Sequence, residues 1–181
     1  MAETELTKMI KRKLRSYRPE MPTDKRTIRW AEEVSVGTGI VDAIRFEDYI
    51  EKDNSYCWAE KCKIEGQGFP CDDCYGCVFK SNSFELGILA TCFEIKITKS
   101  DFKSKNGHNF VGNHNYYVIP KELYKSVCDL VPDDIGIITY TDNGNLRKKK
   151  ECKFKELSAD DLSRLLFNAM KKWIDKFATA S

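Results

Sequence analysis

The stretch TCFEIKIT, near the middle of the chain, most constrains what this sequence can fold into, because its side chains divide between the two faces of a strand. Phe93, Ile95 and Ile97 fall on one face, which predicts that they point into a core. Glu94 and Lys96 fall on the other face. An acid and a base on an otherwise apolar strand are costly to bury without partners. The alternation therefore predicts a polar site on a central strand.

A second strand-like run, residues 39–46, carries a single acid, Asp42, in its middle. Carboxylates from neighbouring strands, Asp42 and Glu94, suit a hard divalent cation such as Mg²⁺, and the Ile95 carbonyl adds a candidate ligand oxygen. Such a cation lowers the pKa of an attacking water, and a neighbouring lysine, here Lys96, offsets developing negative charge. The set therefore predicts a Mg²⁺ or Mn²⁺ site for hydrolysis of phosphodiester bonds.

Hydrophobic periodicity and turn signals predict a single α/β domain over residues 1–181, with a mixed central β-sheet flanked by helices. The chain has 181 residues, of which 41% are hydrophobic, enough for one domain with a real core. The expected elements are a helix at 4–16, strands at 27–36, 39–46 and 86–98, a short helix within 99–112, a strand at 115–119, a helix at 121–130, strands at 135–140 and 146–154, and a helix that begins at Ser158.

The connections predict how these strands pair. The close glycines Gly37 and Gly39 indicate a tight turn, so the first two strands should form a hairpin. The strand, helix and strand of residues 115–140 indicate a crossover between parallel strands. The turn residues 142–145 indicate that the chain then returns as an antiparallel neighbour.

Residues 50–84 show no sustained period and read as a cysteine-rich insertion between two strands. Its five cysteines have the spacing C-x4-C-x8-C-x2-C-x2-C, and pairs two residues apart are typical of a tetrahedral metal site. We expect four of the five to bind a structural Zn²⁺, because a compact loop that holds all its ligands is typical of zinc. The alternative is an iron–sulfur cluster, whose ligand spacing the last three of these cysteines resemble. These candidate ligands are Cys57, Cys62, Cys71, Cys74 and Cys77. The other cysteines, predicted to be small core residues, are Cys92, Cys128 and Cys152.

An aspartate near the end of one strand, followed by Glu-x-Lys on the next, resembles the PD-(D/E)XK nuclease superfamily. This superfamily includes restriction endonucleases, Holliday-junction resolvases and DNA-repair nucleases. The polar segment 99–102 and the aromatic-aromatic-apolar-apolar-Pro run at 116–120 are similar to segments that follow the motif in many members. Residues 135–140 look like the fifth strand, so the resemblance covers roughly residues 28–141.

The resemblance implies a restriction-endonuclease-like core in which Asp42 and Glu94 bind Mg²⁺ or Mn²⁺ and Lys96 is the catalytic lysine. Many members also have a glutamate on the first helix. Glu5 is the candidate here, and Glu33 on the first strand is its rival. The sequence departs from the pattern in having valine before Asp42 instead of proline. The long gap between the two acids also departs from it, and the cysteine-rich insertion accounts for that gap.

The resemblance implies a Mg²⁺-dependent endo- or exonuclease that acts on DNA in repair, recombination, or phage and mobile-element biology. Basic stretches at 8–18 and 147–155 agree with a phosphate-bearing partner, although the net charge is only +2. One alternative is a non-catalytic nucleic-acid-binding module with a structural zinc loop, and another is a zinc-stabilised protein-interaction domain. A homodimer or a repair or phage protein complex is the assembly that the family implies for a chain of this size.

The N-terminus is polar and charged, and no apolar run approaches the length of a membrane span. The sequence therefore predicts a cytoplasmic protein with no membrane partner.

Overall fold

A computed structural model describes residues 4–17, 28–37, 39–52 and 84–178 of the chain. The five cysteines predicted to bind zinc lie outside the described residues, so the zinc site stays a prediction. Among the described residues, no helix is long and apolar enough to cross a membrane.

The described elements follow the predicted order. They are helix α1 (Glu5–Ser16), strands β1 (Ile28–Val36), β2 (Gly39–Lys52) and β3 (Phe84–Ile95), helix α2 (Lys99–Lys103), strand β4 (His114–Pro120), helix α3 (Tyr124–Val127) between the 3-10 turns Lys121–Leu123 and Cys128–Leu130, strands β5 (Gly136–Tyr140) and β6 (Leu146–Lys150), and helix α4 (Ala159–Ala178).

The strands form one six-stranded sheet in the order β1-β2-β3-β4-β5-β6. The pairs β1–β2, β2–β3 and β5–β6 are antiparallel, whereas β3–β4 and β4–β5 are parallel. The predicted α/β class with a mixed sheet, the first hairpin and the parallel crossover are therefore confirmed.

Helices α1 and α4 begin at side-chain caps that the sequence supplies. The Thr4 hydroxyl accepts a hydrogen bond from the Thr7 N–H at 3.2 Å. The Ser158 hydroxyl accepts one from the Asp161 N–H at 3.1 Å, which confirms the predicted start of α4. Each cap satisfies an N–H group that would otherwise have no partner inside its helix.

The two helices cover opposite faces of the sheet. On one face, Ile10 and Leu14 of α1 pack in a cluster with β3 and β4 residues such as Phe93. On the other face, Leu165 and Ala169 of α4 pack in a second cluster, here called the α4-side core. A third cluster lies around α2 and α3 and contains Phe102, Tyr117, Ile119, Val127, Val131, Ile135 and Ile137.

The central strand ends earlier than predicted. Pairing stops at Ile95, so Ile97 lies beyond the strand and is 36% exposed instead of buried in the core. Phe93 and Ile95 are buried as expected. At the other end, β2 and β3 run to Lys52 and Phe84, which pair with each other. The predicted insertion of residues 50–84 therefore begins and ends within paired strands.

Two other predicted elements are shorter than expected. The helix predicted at 121–130 is interrupted at Val127, whose φ of −131° leaves the helical region while its side chain is fully buried. The last strand stops at Lys150, so the predicted pairing does not continue to Phe154, which is 59% exposed. Cys92 is a buried core residue as predicted, whereas Cys128 and Cys152 are only half-buried.

Candidate active site

Asp42 and Glu94 lie on adjacent antiparallel strands, with Asp42 near the start of β2 and Glu94 near the end of β3. The Ile95 N–H donates a hydrogen bond of 2.7 Å to Asp42 Oδ2. Because the N–H and C=O groups of one residue in a strand point to the same side, the Ile95 carbonyl also faces β2. The Asp42 carboxylate and the Ile95 carbonyl therefore meet at the junction between β2 and β3.

Glu94 is fully buried, with one carboxylate oxygen satisfied and the other not. The Asn109 N–H donates to Glu94 Oε1 at 3.1 Å. Among the described residues, no group makes a hydrogen bond to Glu94 Oε2. A buried oxygen without a partner is unfavourable, and a bound cation would satisfy it.

Both acids have a raised pKa. Burial raises the pKa of Glu94 to about 8, and the neighbouring Asp42 carboxylate adds to this shift by repulsion. Burial also raises the pKa of Asp42, against a hydrogen bond from Ile95 that lowers it. A buried acid beside a second acid, both with a raised pKa, is typical of sites that hold a cation or transfer a proton.

Lys96 is buried like Glu94, at 4% exposed, whereas Asp42 is half-buried. Its ammonium Nζ donates to the Asn106 carbonyl at 2.7 Å and lies 3.6 Å from Asp101 Oδ1. The other Asp101 oxygen, Oδ2, accepts a hydrogen bond from the Ile97 N–H at 3.1 Å. A lysine held in this way keeps a fixed position beside the acids.

A loop of residues 104–109, here called the covering loop, lies against both Glu94 and Lys96. Gly107 has a φ of +71°, and a side chain there would overlap Lys96 Nζ and lie 3.1 Å from Glu94 Oε2. Only glycine fits this close approach without strain. The Asn109 side chain fixes the loop to the first hairpin by donating to the Ile40 carbonyl at 3.0 Å.

His108 attaches the covering loop to β4. Its Nδ1 makes a hydrogen bond with the Tyr117 hydroxyl, and its Nε2 lies 2.7 Å from the Ser104 carbonyl oxygen. Burial raises the pKa of Tyr117, so its hydroxyl stays protonated. The sequence predicts a short helix and a loop within residues 99–112, but not the contacts of this loop with Glu94 and Lys96. The signal available was the turn dipeptide Asn106–Gly107 within a polar segment.

An open cleft of about 790 Å³ lies beside these groups. Asp42, Ile95 and Lys96 line it, and Lys105 and Lys172 add positive charge to its wall. The remaining lining residues are Glu33, Ser35, Gly37, Gly39, Ile40, Asp101, Asn106, Gly107 and Asn109. The cleft is open to solvent and combines acidic and basic side chains.

The structure brings together the predicted site residues Asp42, Glu94, Ile95 and Lys96. Of the two candidates for a further acid, Glu33 lines the cleft. The side chain of Glu5 is 89% exposed and pairs with Lys8 at 2.8 Å, and Glu5 does not line the cleft.

Within the part of the chain that the structure describes, no cluster of three or more His, Cys, Asp or Glu side chains could hold a metal ion. The donors present are two carboxylates and a backbone carbonyl. Such a set fits Mg²⁺, which usually keeps several water ligands and takes only one or two carboxylates from a protein. The unpartnered Glu94 Oε2 supports the same fit.

No protein-family model and no curated protein matches this chain. A solved structure of a protein of unknown function from Silicibacter pomeroyi is similar, with 10% sequence identity and a TM-score of 0.49. The match covers 83% of this chain and 77% of that chain. A similarity at this level carries no argument about function, so the function has to be argued from the site itself.

Proposed function

We propose that this protein is a metal-dependent DNA nuclease of PD-(D/E)XK type, with Mg²⁺ or Mn²⁺ as its cofactor. The observation that carries the proposal is the buried Glu94 carboxylate, one oxygen of which has no hydrogen-bond partner among the described residues. It lies beside Asp42 and Lys96, and these two residues line an open cleft. The proposed core is restriction-endonuclease-like, and the cysteine-rich insertion would hold a structural Zn²⁺.

Each site residue has a role that follows from its position. Asp42, Glu94 and the Ile95 carbonyl would hold the cation, which supplies charge neutralisation and an activated water when it is bound. Glu94 must give up its proton to bind a cation, because its pKa is raised to about 8. Lys96 would stabilise the negative charge that develops on the phosphate.

The cleft also suits the charge of a nucleic-acid backbone. Lys105 and Lys172 lie on its wall, one on the covering loop and one on α4. Phosphate contacts of this kind position a strand without reading its sequence. We therefore expect DNA binding to weaken as salt rises.

The test is a cleavage assay on single-stranded, duplex and branched DNA with Mg²⁺ or Mn²⁺. Lys96→Ala should lower the rate by about 10²–10³-fold, the usual effect of removing a group that stabilises developing charge. Asp42→Asn keeps an oxygen for the Ile95 N–H and should also abolish most of the activity. Lys99→Ala is the matched control, because Lys99 is exposed and does not line the cleft.

Cleavage that survives in Lys96→Ala would contradict the assignment of the site. The absence of cleavage by the wild-type protein on every substrate would contradict the nuclease itself. Comparison of the variants by thermal melting would show whether a loss of activity reflects unfolding.

The covering loop supports a second candidate, a nucleic-acid-binding module that does not cleave. The Asn109 N–H already donates a hydrogen bond to Glu94, and the Asn106 carbonyl already accepts one from Lys96. Gly107 lies against both of these side chains. This candidate predicts salt-sensitive DNA binding without cleavage in Mg²⁺ or Mn²⁺. Nuclease activity that depends on Lys96 would exclude it.

A further inference from the structure

A second depression, here called the side groove, lies next to the cleft, between the end of β1 and helix α4. It has a volume of about 460 Å³. Gly37 lines both the side groove and the cleft, so the two depressions adjoin at the turn between β1 and β2. Among the described residues, a side-chain carbon placed on Gly37 would meet no atom within 4 Å. The boundary between the two depressions is therefore open at this glycine.

Helix α4 contributes polar side chains to both depressions. Arg164 and Asn168 line the side groove, and Lys172 lines the cleft. Residues four apart in a helix lie on the same face, and eight residues span about 12 Å. Asn168 also donates a hydrogen bond of 2.9 Å to the Ser35 carbonyl, which holds this face of α4 against β1. One face of α4 thus carries a cation in the cleft and another in the side groove.

A second cation of the side groove, Lys155, lies on a segment that is fixed to the central strand. Its N–H donates to the Asn113 carbonyl, and its carbonyl accepts from the Asn113 side-chain amide, both at 2.9 Å. Asn113 is buried, and its Oδ1 accepts a hydrogen bond of 2.9 Å from the Ala90 N–H of β3. The exposed Lys155 side chain therefore extends from a backbone that is anchored to β3.

The rest of the side groove is mainly apolar. The apolar side chains that line it, all of which belong to the α4-side core or pack against it, are Val36, Val111, Leu157 and Leu165. One acid also lines it, Asp161, whose Oδ2 accepts a hydrogen bond of 2.7 Å from the Ser158 hydroxyl at the start of α4. Two cations beside an apolar surface suit a polymer that carries phosphates and exposes its bases. A single strand of nucleic acid has both, whereas a duplex keeps its bases inside the stack.

We propose that the side groove binds a single strand of DNA that continues from the cleft, with Lys155 and Arg164 at its phosphates and the apolar surface against its sugars and bases. Because this strand is the substrate of the proposed nuclease, the assignment rests on the proposed function. Lys155 is also the last residue of the basic stretch 147–155, which agrees with a phosphate-bearing partner. The substrate that the side groove favours therefore has a single-stranded region next to the bond that is cut.

The test is binding of a fluorescein-labelled single-stranded oligonucleotide, measured by fluorescence anisotropy at several salt concentrations. No divalent cation is added, so that the strand is not cut. On a single strand, the logarithm of the affinity falls with the logarithm of the salt concentration, with a slope of about 0.7 for each phosphate contact. The double variant Lys155→Ala, Arg164→Ala removes two contacts. It should bind more weakly, and its slope should be shallower by about 1.4.

The double variant Lys153→Ala, Lys171→Ala is the matched control. Both of these lysines are exposed, and neither lines the cleft or the side groove. This control removes the same charge as the test variant and should keep the wild-type slope. A second control, Lys155→Arg with Arg164→Lys, keeps both charges in place and should also keep the slope. Melting temperatures of all the variants show whether a loss of binding reflects unfolding.

The outcomes distinguish the two proposals. A wild-type slope in Lys155→Ala, Arg164→Ala, with cleavage lost in Lys96→Ala, would overturn the side groove and leave the nuclease proposal standing. Tighter binding of a duplex than of the single strand would overturn the single-stranded assignment. A wild-type protein that binds the strand through Lys155 and Arg164, but cleaves no DNA in Mg²⁺ or Mn²⁺, would overturn the nuclease and leave the side groove as a binding surface.

Discussion

Two groups of charged side chains lie in neighbouring parts of the sheet. One group pairs opposite charges, and the other places two acids together. On β2, Arg45 and Glu47 are both buried, with Arg45 Nε 3.3 Å from Glu47 Oε1. Arg45 also donates to the Tyr17 carbonyl and lies 5.6 Å from the centre of the Phe93 ring. Here opposite charges meet inside the core, away from the cleft.

The candidate site instead places two acids together beside a cleft. Burial and, after it, repulsion by Asp42 raise the pKa of Glu94 to about 8, and one of the Glu94 oxygens has no partner among the described residues. An ion pair such as Arg45–Glu47 balances its own charge, whereas the acidic pair needs a cation or a proton from outside. The difference separates a structural pair from a site built to bind a ligand.

The largest effect is expected at the structural pair. Arg45→Ala should lower the free energy of unfolding by about 3–5 kcal/mol, because it removes the guanidinium that lies beside the buried Glu47 carboxylate. Urea denaturation measures this change, and Mn²⁺ binding per folded molecule should stay as in the wild type. The double variant Arg45→Met, Glu47→Met is the control, and it should recover most of the loss. A loss below about 1 kcal/mol in the single variant would contradict the structural role assigned to the Arg45–Glu47 pair.

The next effect concerns pH and the acidic pair. Between its ordinary value of 4.5 and its raised pKa of about 8, folded Glu94 keeps a proton that the unfolded chain has lost. Stability should therefore fall as pH rises through this window, by at most about 1.4 kcal/mol per pH unit. Urea denaturation at several pH values measures the slope.

Glu94→Gln is the comparison for that slope. It should lack this contribution and be more stable than the wild type near pH 8, because it removes the buried charge. An identical pH dependence in both proteins would show that Glu94 is not the group that titrates.

The smallest effect concerns Gly107 in the covering loop, where the cost of backbone strain can be separated from the displacement of the Lys96 side chain. Gly107→Ala and Gly144→Ala introduce a side chain at nearly the same φ, +71° and +68°, so each should cost about 1–2 kcal/mol in stability. At Gly144 the new methyl meets only the ends of flexible Met9 and Lys13 side chains. At Gly107 it displaces the Lys96 ammonium, so only this variant should also reduce Mn²⁺-dependent cleavage. Equal activity in the two variants would contradict the position assigned to Lys96.

The sequence predicts those features of this site that depend on the pattern of neighbouring residues and on the order of elements. A period of two residues places Glu94 and Lys96 on one face, and the order of elements places Asp42 on the next strand. The sequence predicts the C-terminal end of β3 less well, because that end depends on pairing with β4, which lies further along the chain. The Lys96 N–H still bonds to the Val118 carbonyl at 3.0 Å, but Ile97 lies past this last contact. The covering loop has no period, so its contact with Glu94 could not be predicted.

The pairing of Lys52 with Phe84 has a consequence for how the chain is assembled. Because these two residues lie directly opposite each other, the hairpin of β2 and β3 closes at the same place for a connection of any length. The entropy of closing a loop grows only with the logarithm of its length, by about 0.6 kcal/mol per doubling. We therefore expect the register that places Asp42 opposite Glu94 to tolerate changes in the length of the connection between Lys52 and Phe84.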